Sequence, residues 1–331
     1  MIRLLHGTNF DFIRWRTWAA ALTLAFLALG ALSFAWRGLN YSVEFTGGVL
    51  IQLEFREPPD ISDVRSTLAD AGISGAEIQQ FGSPTEFTIR AQDRSVVQAQ
   101  AAGAERVSNT IERALFERYG TENITVVRTE AVGPRVGAEL RRGAIIAILI
   151  SFGVTLVYLA IRFEWRFGLA VIVATAHDIL AAIAFIKLAN IEISLFVVAA
   201  LLTVVGYSMN DTIVIFDRVR ENLRKSRHEP LRDTLNRSVN ETLPRTVITG
   251  LTTMGSLIAL LLFGGGVIRP FASVLLFGII VGTFSSIYIA APVLLWIESR
   301  WPPPTTTARG RGHHEPVARV RGTSSRPVVT R

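Results

Sequence analysis

Gly206-Tyr-Ser-Met-Asn-Asp-Thr-Ile-Val-Ile-Phe-Asp-Arg218 places a carboxylate between two apolar runs. Asp211 follows the run Ile193–Val205, which only Ser194 and Thr203 interrupt, and it precedes Ile213–Phe216. If this stretch is a membrane helix, Asp211 lies inside hydrocarbon, which costs about 2.5–3.5 kcal/mol on insertion scales. An ionisable residue kept there at such a cost is by default a functional candidate.

The composition indicates a polytopic α-helical membrane protein. Half of the 331 residues are hydrophobic, and the mean hydropathy is +0.38. The apolar residues occur in blocks of about 20, the length that spans a bilayer as a helix. The chain has no cysteine, which excludes disulfides and thiol chemistry. Its net charge of +7 comes from arginines in short connections and in the tail, so no nucleic-acid partner is expected.

Six transmembrane helices account for the apolar blocks, and the first is too long for a signal-peptide core. The Pro/Thr/Arg/Gly-rich tail 300–331 is expected to be a disordered basic segment. The helices are predicted at about 17–36, 141–161, 167–188, 193–216, 246–263 and 271–297.

The arginine distribution predicts that both termini are cytoplasmic. Segment 1–16, the turn 162–166, the loop 217–245 and the tail are arginine-rich and fall on one side of a six-helix topology. The long region 39–139 is then extracytoplasmic, on the outer side of the membrane.

Region 39–139 is predicted to be a folded α+β domain. Its β-α-β-β-α-β order is typical of a ferredoxin-like sandwich. It contains no histidine and no catalytic cluster, so binding or mechanical work is expected there, with Glu44 in a structural role. Strands are predicted at about 41–55, 76–81, 86–91 and 124–129, and helices at 62–71 and 95–118.

Polar residues inside the predicted helices are the candidate site. Asp211 and Arg245 both fall in the cytoplasmic third of the bilayer, and Asp178 lies near the middle of the third helix. Burial favours the protonated form of a carboxylate, whereas a neighbouring guanidinium favours the ionised form, so a balanced carboxylate can load and release a proton. Alternatively, the two residues form a static ion pair and Asp178 is a hydrogen-bond partner between helices. Supporting polar positions are Asn210, Thr212, His177 and Thr249.

The motifs of metalloproteases and nucleotide-binding proteins are missing. There is no HExxH, and Gly264–Gly266 lacks the spacing of a phosphate-binding loop. We therefore expect no enzyme activity, no cofactor and no metal. A proton gradient could supply the energy, since one charge crossing 100 mV releases about 2.3 kcal/mol.

An ordered set of motifs runs along residues 1–300. The motifs are Val43-Glu-Phe-Thr-Gly-Gly48, Val132-Gly-Pro-Arg-Val-Gly-Ala-Glu-Leu140, Ala176-His-Asp178, the stretch from Gly206 to Asn222, Thr242-Leu-Pro-Arg-Thr246, Ile268-Arg-Pro-Phe-Ala272 and Gly282-Thr-Phe-Ser-Ser286. With these motifs the chain resembles SecF-type members of the SecD/SecF family. It departs from them at Glu44, where aspartate is usual, and at Pro270, often a glycine.

The resemblance implies half of a resistance-nodulation-division transporter, with SecD supplying the other half. Such a pair associates with the SecYEG channel, SecA and YajC, and uses the proton-motive force to promote preprotein export after SecA-driven translocation. By motif, Asp211 would carry the proton, Arg245 would gate it, and Asp178 is a third candidate.

Two other functions remain open at this stage. A proton-coupled exporter of small molecules or lipids would need a substrate cavity and, with one outer loop per chain, a dimer. A purely structural subunit would tolerate neutral replacements of Asp178, Asp211 and Arg245.

Overall fold

The computed structural model describes residues 8–73, 75–80, 83–91, 102–226 and 229–301. It contains six helices long and apolar enough to cross a membrane, and a small α+β domain lies between the first two. The predicted fold class is therefore confirmed. Residues 302–331 of the predicted tail 300–331 lie outside the described residues, as do residues 1–7 of the N-terminal segment.

The first helix, α1, spans Arg16–Arg37 and is followed by a short helix, α2, at Val43–Thr46. The strand predicted from residue 41 therefore begins only at Gly48. Gly47 and Gly48 have φ angles of 75° and 131°, which glycine adopts without strain and other residues rarely adopt. These two glycines turn the chain from α2 into the sheet.

The α+β domain has the predicted β-α-β-β-α-β order. Its four strands form one antiparallel sheet in the order β2-β3-β1-β4, with a register shift between Gln52 and Leu53 where β1 meets β4. Apolar side chains from the sheet and both helices form its core, including Leu68, Ile111 and Leu115. The predicted helix start at 95–101 lies outside the described residues. The elements are β1 Gly48–Phe55, α3 Ile61–Asp70, β2 Glu77–Gln80, β3 Glu86–Ala91, α4 Ala102–Tyr119 and β4 Ile124–Val132.

The other five spanning helices follow the domain. They comprise α5 Pro134–Arg162, α6 Trp165–Leu188, α7 Leu195–Lys225, α8 Leu231–Phe263, α9 Gly265–Ser285 and α10 Ala291–Arg300. The last of the five, α9 with α10, is continuous through a π-helical turn, Ser286–Ala290. It starts at Gly265 and not near the predicted residue 271, because Gly265, with φ of 70°, makes a tight turn after α8. Helices α6, α7 and α9 are much more buried than α1, α5 and α8, and they form the centre of the bundle.

The predicted loop 217–245 is largely helical, because α7 continues to Lys225 and α8 already begins at Leu231. Leu235 and Val239 continue an apolar face at helical spacing and pack into the same core as Phe216. Hydropathy detects the bilayer-crossing part of a helix and misses such polar extensions, which explains the error.

Candidate functional site

Two glycines allow α9 to approach α7 closely. Gly278 faces Val204 and Gly282 faces Ser208, and a Cβ added at Gly282 would lie 2.8 Å from the Ser208 Cβ atom. Small residues four positions apart commonly bring membrane helices into backbone contact. The short distance lets hydroxyl side chains reach from one helix to the next.

Asp178 is buried between three helices and is only 1% exposed. Its Oδ2 atom accepts hydrogen bonds from Ser208 Oγ on α7 and from Ser285 Oγ on α9, the latter at 2.7 Å. Its Oδ1 atom lies 2.8 Å from His177 Nδ1. The carboxylate therefore joins α6, α7 and α9, and both of its oxygens have partners.

Asp211 is as deeply buried, at 3% exposure, but has fewer partners. Within the described part of the chain, Thr283 Oγ1 is its one side-chain hydrogen-bond donor, at a long 3.3 Å from Oδ2. The adjacent Thr212 shares a 2.8 Å hydrogen bond with Ser286 and does not contact the Asp211 carboxylate by a hydrogen bond. Asp211 thus has one weak donor where Asp178 has three neighbouring groups.

Arg245 lies close enough to Asp211 to attract it electrostatically. Among the described residues, however, no ion pair within 4.0 Å joins them. On α8, Thr246 and Gly250 face the bundle, whereas Arg245 and Thr249 lie on the exposed face. The neighbouring α7 also exposes Asn210. The two residues of the predicted pair are therefore not in direct contact, and they lie beside polar side chains that the described part of the chain leaves exposed.

The π-helical turn Ser286–Ala290 begins directly after the hydroxyl groups that serve both carboxylates. Ser285 bonds Asp178, Thr283 bonds Asp211, and Ser286 bonds Thr212. Single π-helical turns inside α-helices occur frequently at functional sites. This turn marks the region around the two carboxylates as the candidate site.

The residues that sequence reasoning missed are hydroxyl donors: Ser208, Thr283, Ser285 and Ser286. For α9, the available signal was the spacing of Gly278, Gly282, Ser285 and Ser286 along one apolar helix. His177, which was predicted as a supporting residue, contacts Asp178, and its Nε2 atom is buried with no hydrogen-bond partner among the described residues. Within those residues, no cluster of three or more His, Asp or Glu side chains could hold a metal ion.

Comparison with known proteins assigns the family. The model of "Protein export membrane protein SecD/SecF, C-terminal" matches residues 111–300, and the "SecD/SecF GG Motif" model matches residues 33–59. The protein translocase subunit SecF of Gemmatimonas aurantiaca is 60% identical over 304 residues, which cover 91% of each chain. This chain belongs to the SecD/SecF family. The SecF subunit of Desulfurispirillum indicum is 42% identical, with 88% of this chain and 92% of that one covered.

A solved structure of the SecD/SecF family has the same architecture. The crystal structure of SecDF from Thermus thermophilus, described as a translocon-associated membrane protein, superposes with a TM-score of 0.80 at 38% identity. The match covers 91% of this chain and 40% of the SecDF chain, so this chain spans about two fifths of that protein.

Proposed function

We propose that this chain is the SecF half of a SecDF-type complex that uses the proton-motive force to promote preprotein export after SecA-driven translocation. SecD supplies the other half, and the pair works with SecYEG, SecA and YajC. The chain performs no chemistry of its own. It lies in a bacterial inner membrane with both termini cytoplasmic and the α+β domain outside, in line with its arginine distribution.

The observation that carries this proposal is the environment of Asp211. A proton carrier must gain and lose its proton at a small cost in hydrogen bonds, and a single 3.3 Å hydrogen bond from Thr283 is easily given up. Arg245 attracts the carboxylate from a distance, so movement of the guanidinium towards or away from Asp211 changes how strongly the ionised form is stabilised. Asp211 is the proton site in this proposal, and Arg245 is its gating partner.

The exposed polar surface beside Asp211 supports a second membrane subunit. Asn210, Arg245 and Thr249 are exposed within helices of membrane-spanning length. Polar and charged groups at membrane depth normally face a bundle interior or a water-filled cavity and not lipid. A second six-helix half, as SecD would provide, would enclose these groups and complete the proton path.

Asp178 has a different role in this proposal. Its carboxylate is held by groups from α6, α7 and α9, so a change of protonation would disturb several hydrogen bonds at once. Buried polar networks of this kind fix the arrangement of helices. We assign Asp178 to positioning α7, and the proton to Asp211.

The test is export into membrane vesicles that contain the complete complex with the SecD partner. Asp211→Asn keeps the shape of the side chain but removes its titration. It is expected to abolish the gradient-dependent part of export while SecA-driven translocation and assembly with SecD continue. Asp233→Asn, on the exposed surface of α8, is the matched control and is expected to behave as wild type. Gradient-dependent export by Asp211→Asn at the wild-type rate would rule out Asp211 as the proton site.

A further inference from the structure

The segment that leads from α1 into the α+β domain is paired with the turn before α7. Ser42 N donates to Ile193 O at 2.9 Å, and Ile193 N donates to Asn40 O at 2.8 Å, which forms a parallel bridge between Tyr41 and Ile193. This segment, residues 40–47, is called the stem below. The stem therefore contacts the start of the helix that carries Asp211.

Glu44 extends this contact onto α7 itself. Its Oε2 atom accepts a hydrogen bond from Leu195 N at 2.6 Å and one from Ser42 Oγ at 3.2 Å. Leu195 is the first residue of α7, and N–H groups in a first helical turn have no partner inside their own helix. A carboxylate at this end also interacts favourably with the helix dipole. A side chain of the stem thus caps α7.

The stem is held on its other side by α5. A Cβ added at Gly137 would lie 3.0 Å from Gly47 N and 3.2 Å from Glu44 O, so the α5 backbone directly contacts the stem. Because the stem lies between the beginnings of α5 and α7, a shift of α7 relative to α5 must strain or move it.

A second contact joins the sheet to the same turn. Arg90 on β3 forms an ion pair with the half-buried Glu192, beside a cleft of about 280 Å³ between the sheet and the turn. Burial raises the pKa of Glu192, with Glu44 and Glu77 acting in the same direction and Arg90 and Arg128 opposing them. The sheet is thus connected to the turn before α7 through Arg90 as well as through the stem.

We propose that Glu44 is a positioning residue that couples α7 to the α+β domain, so that a displacement of α7 on protonation of Asp211 is passed to the sheet. Asp211 lies about 24 Å along α7 from the Glu44 contact, at 1.5 Å per residue, within one continuous helix. The inference rests on the proposed function, because Asp211 supplies the displacement.

The test measures the distance between the domain and the bundle in the complete complex with SecD in lipid. The natural chain lacks cysteine, so Ser66→Cys on α3 and Ile268→Cys on α9 place two spin labels at exposed positions. Asp211→Asn mimics the neutral carboxyl group. It is expected to shift the distance distribution when Glu44 is present, and Glu44→Ala is expected to remove that shift.

Two further variants make the test specific. Leu195→Pro removes the N–H group that donates the hydrogen bond to Glu44. Because proline is well tolerated at the first helical position, this variant should give the same distance distribution as Glu44→Ala. Loss of a hydrogen bond to a carboxylate changes the equilibrium between the two arrangements of domain and bundle by about tenfold or more. Because both variants remove the same bond, the double variant should reduce the distance shift no further than either single variant does. Glu54→Ala, at an exposed position on β1, should retain the wild-type shift.

The outcomes separate this inference from the proposed function. A shift that persists in both Glu44→Ala and Leu195→Pro overturns the coupling role of Glu44 and leaves the proton role of Asp211 intact. If Asp211→Asn causes no shift with Glu44 present, α7 passes no displacement to the domain and the inference is also wrong, whereas vesicle export still reports on Asp211 independently. If Glu44→Ala does not assemble, Leu195→Pro decides.

Discussion

Asp178 and Asp211 are both almost fully buried, and each accepts a hydrogen bond from a hydroxyl group on α9. The number of their hydrogen-bond partners differs. Asp178 is bonded by two serine hydroxyls and lies against His177, whereas Asp211 has one long hydrogen bond from Thr283. Burial alone therefore does not distinguish a carboxylate that moves protons from one that fixes helices. In our proposal, the number and geometry of the hydrogen-bond donors make that distinction.

The two carboxylates also differ in what lies beyond them. Asp178 is enclosed by α6, α7 and α9 of this chain, while Asp211 is attracted by Arg245, which is exposed on α8. A partner that covers the exposed side can change the surroundings of Asp211 and has no direct access to Asp178. In our proposal, control by a second subunit therefore acts on Asp211.

The largest effect on stability is expected from Asp178→Ala. This change removes the buried acceptor of Ser208 and the partner of His177 Nδ1, and it leaves Ser285 only the Gly282 carbonyl at 3.1 Å. A buried polar group left unsatisfied costs about 1–3 kcal/mol. The purified complex should unfold at a clearly lower temperature in a thermal scan. Asp178→Asn retains one acceptor oxygen and should lie between this variant and wild type; equal unfolding temperatures for all three would show that the three-helix junction contributes nothing.

A smaller loss of thermal stability is expected from Gly282→Ala, which tests the close approach of α7 and α9. The added Cβ would lie 2.8 Å from the Ser208 Cβ atom, and overpacking of this kind costs about 1–3 kcal/mol. Gly255→Ala is the control, because a Cβ there has open space in the described structure. If both variants melt at the same temperature, the close approach at Gly282 is not needed to hold Ser208 against Asp178.

The smallest effect is expected from Thr283→Val, which removes the hydroxyl that bonds Asp211. Since the bond is long, its loss corresponds to about 1 kcal/mol, and gradient-driven export should fall by less than about tenfold. Thr253→Val is the control, because Thr253 bonds only the backbone of its own helix among the described contacts. A complete loss of export in Thr283→Val would mean that Asp211 depends on a fixed donor, as Asp178 does.

The fold class and both carboxylates could be predicted because their signals are local. Apolar blocks of bilayer length identify the helices, and a carboxylate within such a block, as at Asp178 and Asp211, is conspicuous. The β-α-β-β-α-β order likewise follows from local periodicity. Only the start of the strand predicted at 41–55 was wrong, because α2 and two adjacent glycines with positive φ angles precede Val49.

The partners of the carboxylates could not be predicted, because a hydroxyl in a helix most often bonds its own backbone. Thr203 and Thr249 do so, whereas Ser208 bonds Asp178 on another helix, and Ser285 bonds both Asp178 and its own backbone at Gly282. The choice depends on the rotation of each helix and on the close approach at Gly282. The same rotation places Arg245 on the exposed face and keeps it out of ion-pair contact with Asp211.

The most direct measurement applies the same substitution to both carboxylates. Asp211→Asn and Asp178→Asn would be compared for gradient-dependent export in vesicles and for thermal unfolding of the same complexes. We expect Asp211→Asn to lose gradient-dependent export at a wild-type unfolding temperature, and Asp178→Asn to keep that export at a lowered unfolding temperature. The reverse pattern, with export lost in Asp178→Asn and retained in Asp211→Asn, would contradict the assignment of the proton to Asp211.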